Sequence, residues 1–314
     1  MSQGLKRNRS ILLAYALAIA LFGVATVFSP GFARGSQVEN LLVQASFIAL
    51  VGLGQTFVII GGNIDLSIPW TLNGAAVLVT TLAAGRDGPL LWIIPLLLVL
   101  GVGIGLVNGF GVAVLGISPI IMTLGMLAIL QGALLVYTGG AASQNSPEVL
   151  SYVAKGSWGP IRIELFIWII LAVLASLVLS ATSFGRRLYA VGTSRKVAEF
   201  SGVNLTSIIV ASYVVSALSA VVTGVLLTGY VGQSYLGMGD VYLFSSVAAV
   251  AIGGASILGG NGHYMGTIAG ALTLSVLAGL LPILNLKPAA LQIIYGCVIL
   301  VTVALATIRS RAAK

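Results

Sequence analysis

One acid in the sequence stands where a charge is costly. Asp65 lies between two apolar runs with little loop around it, and Asn63 and Ser67 could hydrogen-bond to its carboxylate. An ionisable group in apolar surroundings marks a functional site by default. The local alternative is a helix cap, in which Asp65 or Ser67 accepts backbone N–H bonds of the helix that follows.

Amide side chains occur at further positions inside apolar runs. An unpaired buried amide costs free energy, so these side chains either join helices through hydrogen bonds or line a path for a hydroxylated solute. Together with Asn63 and Asp65, the candidate path residues are Gln55, Asn73, Asn108 and Gln131.

Signatures of catalysis are missing from the sequence. No GxxxxGK[ST] segment occurs, so if ATP drives this protein, ATP and magnesium bind to another chain. The sequence has one histidine, His263, and one cysteine, Cys297, with no HExxH, Ser/His/Asp or CxxC arrangement. We therefore predict no catalytic residue, no metal site and no cofactor on this chain, and we expect that it is not an enzyme.

The elements that must position these side chains are membrane-spanning helices. Of the 314 residues, 58% are hydrophobic and 7% are charged, whereas soluble domains have about 25% charged residues. Runs of about 20 apolar residues match the hydrocarbon core of a bilayer. We predict an all-α polytopic membrane protein with about ten transmembrane helices in a single domain, residues 1–314. The expected spans are roughly 11–28, 41–60, 68–84, 91–115, 119–137, 163–181, 207–230, 241–258, 264–285 and 288–308.

The positions of the basic residues predict the orientation. With an even number of spans and both termini in the cytoplasm, the whole formal net charge of +8 lies on the cytoplasmic side, as the positive-inside rule requires. The basic balance thus indicates membrane topology rather than a nucleic-acid partner. Two loops are long enough to meet soluble partners, an external one at about 138–162 and an internal one at about 182–206.

Glycine is frequent, with 40 residues, and much of it lies within spans. Small residues at four-residue spacing let helix backbones approach closely in lipid; interrupted spans in transporters also line cavities. The spacing occurs at Gly101, Gly105 and Gly109 and again at Gly262, Gly266 and Gly270. A weak internal echo is also present, since Ile59–Asn63 reads IIGGN and Ile257–Asn261 reads ILGGN.

Several ordered segments resemble one transporter family. GGNIDLS at 61–67, IIMTLG at 120–125, FGRRLYAVGTSRKVAEFSG at 184–202, AIGGASILGGNGHYMGTIAG at 251–270 and QIIYG at 292–296 are similar to blocks of the ribose-type (branched-chain/monosaccharide) ABC importer transmembrane permeases. The matches extend from the second predicted span to the tenth. Asn63 departs from the pattern, because the family usually has a second glycine there, and Pro69-Trp70 replaces another usual glycine.

The resemblance implies a multi-pass permease of the bacterial inner membrane that imports a sugar or sugar-like solute. It also implies several partners: a cytoplasmic ABC ATPase, a periplasmic solute-binding protein, membrane lipid, and a second copy or a paralogous permease. The ATPase would dock on the internal loop, at Gly185, Arg186, Arg187, Gly192, Arg195, Glu199 and Gly202. A short helix bounded by glycines suits a groove on a soluble partner, although the positive-inside rule alone would explain the charges.

An ion-coupled secondary transporter of a small polar solute is the alternative. It requires buried carboxylates, for which Asp65 and Asp240 are the candidates in this sequence.

Overall fold

The computed structural model describes residues 3–141, 143–159, 161–287 and 289–312, and helices dominate these ranges. The α-helices are α1 Gln3–Phe28, α2 Gly35–Ile60, α3 Ile68–Ala83, α4 Leu90–Ala113, α5 Pro119–Thr138, α6 Glu148–Lys155, α7 Ile163–Ala181, α8 Ser183–Thr193, α9 Arg195–Phe200, α10 Leu205–Val231, α11 Tyr242–Ile252, α12 Tyr264–Ile283 and α13 Ala289–Ala312. A 3₁₀ helix, Pro30–Ala33, follows α1. Strand β1 (Ser143–Asn145) pairs antiparallel with β4 (Gln233–Tyr235), and β2 (Ser157–Trp158) pairs with β3 (Ile161–Arg162).

Seven helices in the described ranges are long and apolar enough to cross a membrane, namely α1, α2, α4, α5, α7, α10 and α12. Shorter apolar helices are α3, α11 and the 289–304 part of α13. Each of the ten predicted spans overlaps one of these helices, so the polytopic helical fold is confirmed. The number of crossings and the side of the termini stay predictions. The eighth predicted span was too long, because the helix ends at Ile252 and Gly254 takes a φ of +83°.

The described residues form two compact units. The first comprises those of Met1–Asn63, Ala172–Ala198 and Phe244–Lys314. In it α12 packs against α1 and α2, and hydroxyl groups join the helices, with the Thr56 and Thr267 Oγ1 atoms 2.7 Å apart. Gly266 and Gly270 of α12 lie against the backbone of Gly253 and Ala249 with no room for a side chain. The predicted role of this glycine row, close helix approach, is confirmed.

The second unit comprises the described residues of Ile64–Leu171 and Glu199–Leu243. Its centre is α10, which packs against α3, α4 and α6. A Cβ atom on Gly105 would lie 2.5 Å from the Val214 Cα, and one on Gly109 would lie 2.6 Å from the Val210 Cα. The glycine row of α4 therefore permits close contact with α10, and the close helix approach that its spacing predicted is confirmed.

Candidate functional site

The segment between α2 and α3 leaves helical geometry and carries Asp65. The residue is 2% exposed, and its Oδ1 accepts hydrogen bonds from the Ser67 backbone N–H at 2.9 Å and from the Ser67 hydroxyl at 2.6 Å. The Ser216 hydroxyl of α10 donates to Oδ2 at 2.7 Å. Asp65 thus accepts three hydrogen bonds from two serines.

Asn108 extends this network from α4. Its Nδ2 donates to the Ser67 Oγ at 2.9 Å, whereas its Oδ1 is buried with no partner among the described residues. The Tyr213 hydroxyl of α10 donates to the Ile64 carbonyl at 3.2 Å. We call Ile64, Asp65, Ser67, Asn108, Tyr213 and Ser216 the Asp65 network.

The Asp65 network supplies hydrogen-bond partners for the non-helical backbone between α2 and α3, which lies beside the long apolar helix α10. Ser216 and Tyr213 lie well inside α10, which is apolar enough to span a membrane. Non-helical backbone at membrane depth is tolerated where protein groups or a water-filled cavity satisfy it. Ser67 occupies the N-cap position of α3 without a side-chain capping bond, and Asp65 instead accepts its N–H. The predicted side-chain cap of α3 is therefore absent, and Asp65 instead belongs to a polar cluster with residues of α4 and α10.

The remaining path residues lie elsewhere. In the amide orientation that pairs both of its polar atoms, Asn73 donates to the Tyr235 carbonyl at 3.1 Å and accepts from the Gly237 N–H at 2.7 Å, so it joins α3 to the end of β4 and the residues after it. Gln55 of α2 is fully buried, and its two amide atoms have no partner among the described residues. Gln131 is half-buried on α5. Asn63 belongs to the first unit, where it contacts Arg195.

The internal loop is a pair of helices, α8 and α9, rather than the one short helix that the sequence predicted. The break falls at Ser194, whose backbone is extended. The Thr182 hydroxyl caps α8 by accepting the Gly185 N–H at 3.2 Å. Arg186 turns back toward α7, where its guanidinium donates to the Ala181 carbonyl at 3.2 Å.

Exposure and packing distinguish the predicted docking residues. Arg187, Arg195 and Glu199 are exposed, as is Lys196. The glycines serve three different purposes. Gly185 lies against the carbonyl groups of Val178 and Leu179, Gly192 lies against backbone on two sides, and Gly202 takes a φ of +77°.

Gly192 is enclosed by two loops of the first unit. A Cβ atom there would meet the Ile60 carbonyl oxygen and would lie 2.5 Å from the Gly260 nitrogen. The Gly260 N–H itself donates to the Ile60 carbonyl at 2.9 Å. The two segments of the internal echo thus meet each other, and α8, at Gly192.

Sequence patterns alone missed Ser216, Tyr213 and the partners of Asn63. Serines at 212, 216 and 219 interrupt an apolar helix, which was an available signal for a polar face on α10.

His263 caps α12, with its Nδ1 accepting the Met265 N–H at 3.1 Å. Partial burial raises the pKa of the Asp240 carboxyl, which lies before α11. Over the described ranges, no group of three or more His, Cys, Asp or Glu could hold a metal ion.

Comparison with known proteins decides the family. Residues 37–303 match the family described as branched-chain amino acid transport system, permease component. The chain belongs to this permease family. The permease is 29% identical to the ribose import permease protein RbsC of Haemophilus influenzae, over 91% of this chain and 89% of the relative.

Two further relatives show similar likeness over nearly whole chains. The permease is 30% identical to RbsC of Bacillus subtilis, over 90% of this chain and 88% of the relative. It is 28% identical to the galactose/methyl galactoside import permease protein MglC of Haemophilus influenzae, with coverage of 97% and 98%. No solved structure matches the chain. The resemblance found in the sequence is confirmed, and the chain is a permease subunit of the ABC importer type.

Proposed function

We propose that this permease carries a sugar or a sugar-like solute across the bacterial inner membrane, within a binding-protein-dependent importer driven by ATP. The observation that carries the proposal is its similarity, over about nine-tenths of each chain, to permeases named for ribose and for galactose or methyl galactoside. The polar groups inside the helices agree with this choice. They are mostly amides and hydroxyls, which suit a neutral hydroxylated solute better than an ion.

The Asp65 network is the proposed solute contact in the second unit. The Asn108 Oδ1 is buried and has no protein donor among the described residues. A solute hydroxyl could donate to it, and this would remove the cost of a buried, unpaired acceptor. Asp65 already accepts three hydrogen bonds, so its part is to hold Ser67 and, through Ser67, the Asn108 amide.

The helix pair α8–α9 is the proposed docking surface for a cytoplasmic ATPase that holds ATP and magnesium. It presents exposed basic side chains, and Gly192 fixes α8 to two loops through backbone contact. A force applied to α8 would therefore reach both loops without first bending a flexible side chain. A periplasmic binding protein would meet the external segment at about 138–162, and a second copy or a paralogous permease would complete the importer.

Co-purification of the ATPase tests the docking surface. We would purify the tagged permease from native membranes in mild detergent and assay ATPase activity in the eluate. Arg187→Glu reverses an exposed charge on α8, and Arg86→Glu makes the same change at an exposed site between α3 and α4. We expect Arg187→Glu to lower the co-purified ATPase activity several-fold and Arg86→Glu to leave it unchanged. Equal yields from the two variants would contradict docking on α8.

A further inference from the structure

A compact junction of backbone segments surrounds Gly192. We define the glycine junction as Ile60–Asn63, Gly192 and Leu258–Asn261, all of which lie in the first unit. A Cβ atom on Gly259 would lie 2.7 Å from the Gly62 Cα. No side chain fits between these segments, so the positions of α8 and of the two loops depend directly on one another.

Side chains of α8 add further contacts to the junction. The Tyr189 hydroxyl donates to the Gly262 carbonyl at 2.7 Å. A Cβ atom on Gly260, which has a φ of +73°, would lie 2.5 Å from the Thr193 Oγ1. The C-terminal turn of α8 therefore lies directly against the loop before α12.

One side-chain hydrogen bond connects α9 to the Ile60–Asn63 segment of the glycine junction. Arg195, the first residue of α9, donates from Nη2 to the Asn63 Oδ1 at 2.6 Å. Asn63 is 5% exposed, and its Nδ2 donates to the Gly61 carbonyl at 3.2 Å, which fixes the orientation of the amide. A hydrogen bond from a guanidinium is charge-assisted and stronger than one between neutral groups.

The hydrogen bond between Arg195 and Asn63 holds the chain at the residue that directly precedes the Asp65 network. Ile64 and Asp65 follow Asn63 directly in the sequence. A glycine at position 63 would offer no side-chain acceptor. The Arg195–Asn63 bond therefore depends on the amide side chain of Asn63.

We propose that Arg195 is a positioning residue that fixes Asn63 and so couples the helix pair α8–α9 to the segment carrying Asp65. The inference rests on the proposed function, since it takes α8–α9 as the ATPase-docking surface. When the pair α8–α9 moves, the guanidinium carries Asn63 with it, and the covalent chain passes the displacement to Ile64 and Asp65. Arg195 does not touch the solute in this account.

The test is the number of solute molecules imported per ATP hydrolysed. The importer, purified with its ATPase, is placed in proteoliposomes with its binding protein, and uptake and hydrolysis are measured together. Arg195→Ala removes the donor, and Asn63→Gly removes the acceptor. We expect each to lower the import per ATP by about threefold to tenfold, less than the full free energy of a charge-assisted hydrogen bond would give, because Arg195 is exposed.

Three further variants make the result specific. Arg86→Ala removes an exposed charge between α3 and α4, outside the docking surface, and should leave the ratio unchanged. The double variant Arg195→Ala with Asn63→Gly should be no worse than either single variant, since the two act through one bond. Asn63→Asp keeps an acceptor for Arg195 but loses the hydrogen bond to the Gly61 carbonyl, so its ratio should lie between that of Asn63→Gly and the wild type.

The proposal can fail separately from the proposed function. A wild-type importer that moves solute with ATP, combined with unchanged ratios in Arg195→Ala and Asn63→Gly, would overturn the positioning role alone. Loss of the ATPase from the purified Arg195→Ala complex would also overturn it, since Arg195 would then be a docking contact. A wild-type permease that binds no ATPase would instead contradict the proposed function.

Discussion

The contact at Gly192 makes a sharp prediction for the smallest possible substitution. In Gly192→Ala the added methyl carbon meets the Ile60 carbonyl oxygen and lies 2.5 Å from the Gly260 nitrogen. An ordinary contact is about 3.5 Å, so the Gly260 backbone must move by about 1 Å. Both neighbours are backbone atoms joined by a hydrogen bond, and neither can rotate away as a side chain would. Overpacking of this kind costs about 1–3 kcal/mol.

Gly132→Ala is the matched control for this substitution. Gly132 lies in α5 with nothing within 4 Å of an added Cβ. Replacing a helical glycine by alanine gains up to about 1 kcal/mol in either helix, so the difference between the two variants isolates the contact at Gly192.

Two assays follow the consequences for stability and for coupling. We expect Gly192→Ala to lower the thermal midpoint of the purified permease relative to Gly132→Ala. It should also lower the solute imported per ATP, because α8 no longer lies against both loops. If the two variants behave alike in thermal unfolding and in transport, the glycine junction does not hold α8, and the reasoning is refuted.

Two other substitutions test the buried polar groups. Asp65→Ala removes the acceptor of three hydrogen bonds and should destabilise the permease by about 1–3 kcal/mol for each donor left unpaired. Asp65→Asn keeps one acceptor oxygen, so its thermal midpoint should lie between those of Asp65→Ala and the wild type. Equal midpoints for the alanine and asparagine variants would show that the network is not satisfied through Asp65. Gln55→Leu removes a buried amide without a described partner and should raise the thermal midpoint while lowering solute uptake if the amide contacts the solute. A lower midpoint in Gln55→Leu would show that the amide is paired in the membrane.

Hydropathy located the helices well and their ends less well. The apolar runs predicted every long helix, because the bilayer requires about 20 apolar residues with an internally satisfied backbone. The eighth span failed at its end, where Gly253-Gly254 lets the chain leave the helix inside an apolar sequence. The break at Ser194 was also missed, since charge and glycine spacing alone do not divide α8 from α9.

The site was predicted as a set of residues, not as an arrangement. Asp65 and its neighbour Ser67 were identified from their apolar surroundings, but Ser216 is 151 positions away along the chain. Arg195 and Asn63 are 132 positions apart, and their sequence contexts suggested two separate roles. The echo IIGGN and ILGGN is visible in the sequence, yet the contact between the two segments depends on helix packing that no local pattern encodes.

The most direct test of the central claim is uptake of labelled sugars by proteoliposomes that contain the purified permease complex and its binding protein. Ribose and galactose would be supplied outside, with ATP enclosed on the ATPase side, and a protonophore would be added in a parallel sample. The account predicts uptake of a sugar that requires ATP and the co-purified ATPase and that the protonophore does not change. Uptake by the permease alone, independent of ATP and abolished by the protonophore, would contradict it and favour an ion-coupled carrier.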